Sequence, residues 1–329
     1  MTFKIFVTRE IPDEGIKLLK ADKRIKLEVY NKDAQISRRE LLKLVKGKDI
    51  ILSILTEQID KEVLNAAGQQ LKMIANYAVG FDNIDLVEAK KRNIVVTNTP
   101  SDQISESVAE HTIALMFALA KRVCEADRFT RAGKYKAWGP KLLLGTDFYK
   151  KTVGIIGTGR IGTGVVHRLH DGFNMKVVYN DMKRNPQLEK ETGAQFCTLE
   201  KQLKESDFVS LHVPLLPSTR HLISTKQFKM MKKTAFLINT ARGPIIDEKA
   251  LVRALVKKEI AGCGLDVYEC EPMIDCDPND NLDLKKMDNV VLTPHTASAT
   301  LETRQEMSRI AAENILMFIN GKTPKNIVR

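Results

Sequence analysis

The sequence predicts an α/β protein made of two Rossmann-like doubly wound parallel-sheet domains with a cleft between them. Short apolar or β-branched runs alternate with segments of helical period along the whole chain. Several of these runs, such as residues 153–156 and 235–238, are continuously apolar, as strands buried on both faces must be. One of them leads directly into a glycine-rich turn that opens a helix.

Nine strands are expected in order: FKIFVT, DIILSIL, LKMIANYA, NIVVTN, KTVGIIG, MKVVYN, DFVSLHV, TAFLINT and NVVLTP. A chain of 329 residues, 43% hydrophobic and 28% charged, exceeds the usual size of one domain, so two are expected. Residues 101–120 read as a long helix with Ser105 a candidate cap and with Val108, Ile113, Leu115, Met116 and Leu119 distributed around it. The glycine-rich turn follows. The first domain is therefore expected to end near Pro100.

Composition excludes several classes. The longest apolar stretch, residues 113–120, is too short to cross a bilayer, and the N-terminus opens on strand alternation without a signal-peptide pattern. No membrane association is expected, and the cytoplasm is the expected compartment. The net charge is +11, but its Lys and Arg residues are dispersed without aromatic interleaving, so no nucleic acid is expected as partner. Five cysteines without an export signal favour reduced thiols. Cys270 and Cys276 stand beside Asp275 and Asp277, but their spacing matches no zinc pattern, so no metal is expected.

The segment KTVGIIGTGRIGTGVVHRLH carries Gly157, Gly159 and Gly162 as G-x-G-x-x-G, after a strand and opening a helix. Gly157 permits the tight turn, Gly159 allows backbone N–H groups to approach a pyrophosphate, and Gly162 allows helix and strand to pack closely. With Thr158, Arg160 and Ile161 they form the expected cofactor loop. Asp181 ends the next strand nineteen positions after Gly162, where a carboxylate bonds ribose hydroxyls and repels a 2′-phosphate. NAD(H) is expected over NADP(H), with Lys183 and Arg184 available to soften that repulsion. The bland alternative has Asp181 merely beginning a turn before Pro186.

Three further segments carry chemistry: INTARGPIIDEKAL, GLDVYECEP and NVVLTPHTASAT. Arg242 and His295 each follow a strand, the end at which open α/β sheets bind ligands. Their structural alternatives are an ion pair of Arg242 with Asp247, a Glu271 that is one acid of a loop beside Glu269, and a satisfied core histidine at 295.

Together these segments, in this order and over nearly the whole chain, resemble the D-isomer-specific 2-hydroxyacid dehydrogenases. The resemblance implies that Arg242, Glu271 and His295 are catalytic and that Val79 and Gly80, in ANYAVGFDNID, receive the substrate carboxylate. It also implies that Val213 and Pro214 of the HVP segment, with Thr240 and Asp266, line the cofactor site. It returns residues 298–329 to residues 1–100 as the substrate domain and leaves residues 101–297 as the dinucleotide-binding domain.

The implied roles follow from chemistry. Arg242 would hold the carboxylate and polarise the C=O through its fork of donors. His295 would give a proton to the carbonyl oxygen as hydride arrives, and ionised Glu271 would favour the imidazolium form, so reduction should weaken as pH rises. Within the family, HTASATLETR and GKTPKNIV resemble glyoxylate and hydroxypyruvate reductases, whereas ISESVAEHT is closer to phosphoglycerate or lactate relatives. D-lactate and 3-phosphoglycerate stay open as substrates, as does a binding protein that senses NAD(H) with little catalysis. A homodimer formed through the long apolar helix is expected, and some relatives carry a tryptophan near Trp138 to a neighbouring subunit's site.

Overall fold

The computed structural model describes residues 2–274 and 284–328. The chain divides into two compact units, residues 1–104 with 299–329, and residues 105–298.

In the first unit, β1 (Phe3–Val7), α1 (Asp13–Ala21), β2 (Ile25–Val29), α2 (Arg38–Leu44), β3 (Ile50–Ile54), α3 (Lys61–Ala67), β4 (Met73–Tyr77), α4 (Leu86–Lys91) and β5 (Val95–Thr97) form a sheet of order β2-β1-β3-β4-β5. Every pairing is parallel. The strand IKLEV was not expected from the sequence. It is an edge strand with alternating exposure, and Lys26 and Glu28 interrupt its apolar run.

The long helix α5 (Asp102–Ala120) leads into α6 (Val123–Arg131) and the second unit. There β6 (Thr152–Ile156), α7 (Arg160–Phe173), β7 (Lys176–Asn180), α8 (Pro186–Thr192), β8 (Gln195–Phe196), α9 (Leu199–Glu205) and β9 (Phe208–Leu211) are followed by α10 (Thr225–Phe228), β10 (Phe236–Asn239), α11 (Glu248–Val256), β11 (Gly262–Leu265) and β12 (Val290–Leu292). The sheet order is β12-β11-β10-β9-β6-β7-β8, again wholly parallel. Its order reverses between β6 and β9, and the carboxyl ends at that point are where a doubly wound sheet binds its ligand.

The last helix, α12 (Leu301–Ile319), packs on α1 in the first unit. The contact is close because position 15 is glycine: a Cβ there would stand 2.1 Å from the Ser308 carbonyl oxygen. The Gly15 N–H donates to Ser308 Oγ at 3.0 Å, and the Tyr77 hydroxyl donates to the Arg304 carbonyl at 2.9 Å.

One detail of α5 differs from expectation. Its cap is Ser101, whose Oγ accepts the Ile104 N–H at 3.3 Å, whereas Ser105 lies inside the helix. Its apolar residues Leu115, Met116 and Leu119 are buried in the chain's own core, each contributing about 1.5–3 kcal/mol of apolar burial. They pack on β11, whose sequence GCGL carries little strand signal. A Cβ at Gly264 would lie 3.2 Å from Leu115 and Leu119, so the glycine that hides the strand in the sequence is what admits the helix. Cys124, Cys197 and Cys263 are free, but Cys270 is disulfide-bonded, against the expectation of reduced thiols. Asp275, Cys276 and Asp277 lie outside the described residues.

Candidate active site

The glycine loop sits at the carboxyl end of β6, at the reversal of strand order. Gly157 has φ +92°, and a Cβ there would stand 2.6 Å from the His212 carbonyl oxygen. At Gly162 a Cβ would meet the Gly157 carbonyl oxygen at 2.1 Å. The space beside Gly159, by contrast, holds no atom within 4 Å, leaving open backbone at the first turn of α7. The donors of that helix start, with Arg160 and Ile161 in its first turn, fit a pyrophosphate.

Asp181 stands just past β7, and its Oδ2 accepts the Thr158 N–H at 2.7 Å and the Thr158 hydroxyl at 3.0 Å. Its Oδ1 accepts the Met182 N–H at 2.6 Å. The carboxylate is thus fixed against the glycine loop rather than left in a turn. Arg184 does not soften its charge: the guanidinium donates to both oxygens of Glu189, at 2.6 and 3.1 Å. Met182 and Lys183 are exposed.

Arg242, Glu271 and His295 all lie in the second unit, on loops after β10, β11 and β12. His295 Nδ1 is 2.9 Å from Glu271 Oε2, and Glu271 Oε1 accepts the Tyr268 N–H at 2.9 Å. Glu269 faces elsewhere, toward His221 Nε2 at 2.6 Å and Arg220 at 3.5 Å. The two acids of this loop therefore have separate partners. Asp247, the alternative partner of Arg242, instead caps α11 through the Ala250 N–H at 3.0 Å and accepts the Ser224 hydroxyl at 2.8 Å.

The Arg242 turn is held from both sides. Asn239, fully buried, donates through Nδ2 to the Arg242 carbonyl at 2.8 Å and accepts the Ala241 N–H at 3.0 Å. A Cβ at Gly243 would stand 1.9 Å from the Tyr268 backbone, so the R-G-P sequence brings the arginine turn against the Glu271 loop.

His295 adopts a left-handed conformation, φ +55°, which a non-glycine residue keeps only when its surroundings impose it. Asp266 imposes it here. The His295 N–H donates to the Asp266 carbonyl at 2.8 Å. The fully buried Asp266 carboxylate accepts the Thr296 N–H at 2.7 Å, the Ala297 N–H at 2.9 Å and the Thr293 hydroxyl at 2.6 Å. Since Thr293 gives its proton to Asp266, His111 Nε2, 3.0 Å from that hydroxyl, is the donor in its own contact. Burial pushes the Asp266 carboxyl up, but His111, Thr293, Thr296 and Ala297 outweigh it and hold the group below the usual carboxylate range.

Asp266 was expected to line the cofactor site, and nothing in the sequence singled out His111. Both bond to the loop that carries His295. Tyr268 joins them, its hydroxyl donating to the Thr293 carbonyl at 2.7 Å. The Y in DVYECEP offered no signal for this, because its partner is a backbone carbonyl 25 residues away.

Thr240, expected at the cofactor, shares a hydrogen bond of 2.9 Å with Thr112 of α5. Val213 is half-buried and Pro214 exposed, just beyond β9. His212 shares a hydrogen bond of 2.8 Å with Ser210, and burial pushes its imidazole down to about 3, so this ring is neutral and no proton donor near pH 7. Val79 and Gly80 lie in the first unit, just past β4. Among the described residues no group of three or more His, Cys, Asp or Glu is gathered as metal ligands would be, and no helix is long and apolar enough to cross a membrane.

Residues 113–297 match the family model described as D-isomer specific 2-hydroxyacid dehydrogenase, NAD binding domain. A glyoxylate reductase of Korarchaeum cryptofilum is 48% identical over 326 residues, covering 99% of this chain and 95% of that protein. A crystal structure of a Thermus thermophilus protein superposes with TM-score 0.91 at 40% identity, covering 99% of this chain and 100% of the other. The D-lactate dehydrogenase of Aquifex aeolicus, solved with NAD and lactic acid, gives TM-score 0.86 at 31% identity, covering 99% and 98%.

Proposed function

Because the chain belongs to the D-isomer-specific 2-hydroxyacid dehydrogenases and is an NAD-dependent oxidoreductase, we propose that it reduces glyoxylate or hydroxypyruvate to the D-2-hydroxy acid. The observation that carries the catalytic part is the Glu271–His295 contact of 2.9 Å on a loop fixed by Asp266. The substrate preference is carried by the 48% identity to a glyoxylate reductase.

NADH, when bound, supplies the hydride; Thr158, Arg160 and Ile161 with the three glycines would hold its pyrophosphate and Asp181 its ribose, with Val213, Pro214 and Asp266 lining the nicotinamide half and Thr240 also at the cofactor. The N–H groups of Val79 and Gly80 receive the substrate carboxylate. Arg242 polarises the carbonyl with a planar pair of donors. Glu271 occupies His295 Nδ1, which leaves Nε2 as the atom that gives a proton to the carbonyl oxygen and takes it back in the oxidation direction. NAD(H) is favoured over NADP(H), because Asp181 is held at the loop and Arg184 is bound to Glu189.

The test is NADH oxidation against glyoxylate, hydroxypyruvate, pyruvate and 3-phosphohydroxypyruvate in parallel. Selective turnover of either of the first two supports the proposal, and preference for pyruvate or the phosphorylated acid replaces the substrate while keeping the chemistry. Tight NADH binding without turnover of any acid would return the chain to the sensor alternative.

We infer also that the chain forms a homodimer. The buried apolar residues of α5 do not support it, but those beyond it do: Val123, Tyr135, Trp138, Leu144 and Tyr149 are each more than half exposed within 27 residues. Light scattering after gel filtration measures the mass, and a monomer at micromolar concentration refutes pairing through this segment.

A further inference from the structure

The loop after β4 has its carbonyls and its N–H groups in opposite circumstances. The Ala78 carbonyl accepts the Thr99 N–H at 2.9 Å, the Val79 carbonyl accepts Asn98 Nδ2 at 2.7 Å, and the Gly80 carbonyl accepts Asn76 Nδ2 at 3.0 Å. The N–H groups of Val79, Gly80 and Phe81 donate to no acceptor among the described residues, and Val79 and Phe81 are exposed. In a trans peptide the C=O of one residue and the N–H of the next point in opposite directions. Fixing the carbonyls of 78, 79 and 80 therefore fixes the direction of the N–H groups of 79, 80 and 81. Successive N–H groups presented in this way form a site for an anion.

We infer that Asn76 and Asn98 are positioning residues for the substrate carboxylate: Asn98 holds the Val79 carbonyl and so directs the Gly80 N–H that the carboxylate meets, and Asn76 holds the Gly80 carbonyl and so keeps the loop in place behind it. This rests on the reading of the chain as a 2-oxo acid reductase.

The chemistry requires amides. Asn76 Oδ1 accepts the Ser53 hydroxyl at 2.9 Å, and its Nδ2 also donates to Asn83 Oδ1 at 3.0 Å, so the nitrogen is the atom turned to Gly80. Asn83 is in turn held by the carbonyls of Ile54 and Glu57, at 3.1 and 3.0 Å. The chain of bonds from β3 through β4 to the loop is complete and buried, with Asn76 and Ser53 both fully enclosed. Asn98 reaches the loop independently from just past β5. Its backbone is anchored separately, its N–H donating to the Asn326 carbonyl at 3.1 Å. An aspartate at either position would set an oxygen against a carbonyl oxygen.

Asn98 is half-buried, so Asn98→Ala removes the amide without opening the core, and Asn98→Asp keeps its size while reversing its hydrogen-bonding character. Calorimetry of the full-length NADH-bound protein with oxamate, an unreactive 2-oxo acid mimic, reads carboxylate binding directly. The inference expects the oxamate Kd to rise about five-fold in Asn98→Ala and by about ten-fold or more in Asn98→Asp, as loss of one hydrogen bond implies. The KM of the reducible acid should rise in parallel, with kcat at saturation, the NADH Kd and the melting temperature essentially unchanged; a merely structural asparagine would move the last three. Wild-type oxamate affinity in both variants overturns the inference. If wild-type protein reduces no 2-oxo acid yet oxamate binding still weakens in the variants, the activity proposal fails and the positioning role stands. Asn76→Ala adds support if it folds and behaves likewise; if it unfolds, the Asn98 pair decides.

Discussion

His295 meets Glu271 through Nδ1 at 2.9 Å, and the other oxygen of that carboxylate is fixed by the Tyr268 N–H, so the acid has one orientation available toward the ring. A fixed carboxylate selects the tautomer with the proton on Nδ1. Glu271→Gln keeps the shape and removes the charge. We predict a fall in kcat for reduction of about 10²-fold, with His295→Ala falling about 10³-fold or more, both at unchanged NADH affinity. Stopped-flow NADH oxidation checks this; full activity in His295→Ala removes the ring from the chemistry.

Asp266 carries a pH prediction. Its carboxyl is depressed in the folded state, against an unfolded value of about 3.9. Its contribution to stability is therefore fully present above that unfolded value and lost as pH falls through the lower native one. Asp266→Asn should cost about 2 kcal/mol at pH 7, from weakened charge-assisted bonds to Thr293, Thr296 and Ala297. Urea unfolding at pH 7 and again below pH 3 measures it: the gap between wild type and variant should narrow at the acid end. A gap that widens there would refute the sign.

Arg242→Lys keeps the positive charge and loses the planar fork. If the two donors act together on one substrate, kcat/KM should drop about 10²-fold while NADH binding holds. A loss below three-fold would mean that charge alone suffices.

Asp181 is predicted to set the cofactor preference. Asp181→Ser removes the charge that opposes a 2′-phosphate while its neighbours keep their places, since Arg184 is held by Glu189. The kcat/KM for NADPH should rise about ten-fold, roughly 1.4 kcal/mol, and that for NADH should fall. Titration of both cofactors against one substrate decides it, and equal use of the two by wild type would remove Asp181 from the discrimination.

Much of this molecule was legible one segment at a time. The wholly parallel sheets follow from apolar runs alternating with helices, and the cofactor loop from three glycines whose spacing encodes a turn, an open approach and a close helix–strand contact within six residues. Local signals of this kind survive in a sequence because the interacting groups are near neighbours in the chain. Strands β2 and β11 escaped notice for the converse reason: one is an edge whose alternate residues are charged, and the other is thinned to GCGL because α5 lies against it.

What only the tertiary structure decided are the long-range pairings. The sequence offered Arg242 and His295 by type and by position after strands, and only the family resemblance chose Glu271 over Glu269; the fold separates the two acids by giving each its own histidine. Nor could it show Asp266 gathering Thr293, Thr296 and Ala297 from about 30 residues away, or Asn76 and Asn98 donating to two carbonyls of one loop. The physical reason is common to these cases. A hydrogen bond is decided at a few ångströms and a definite angle, and residues far apart in the chain acquire such a relation only when the core places their strands side by side.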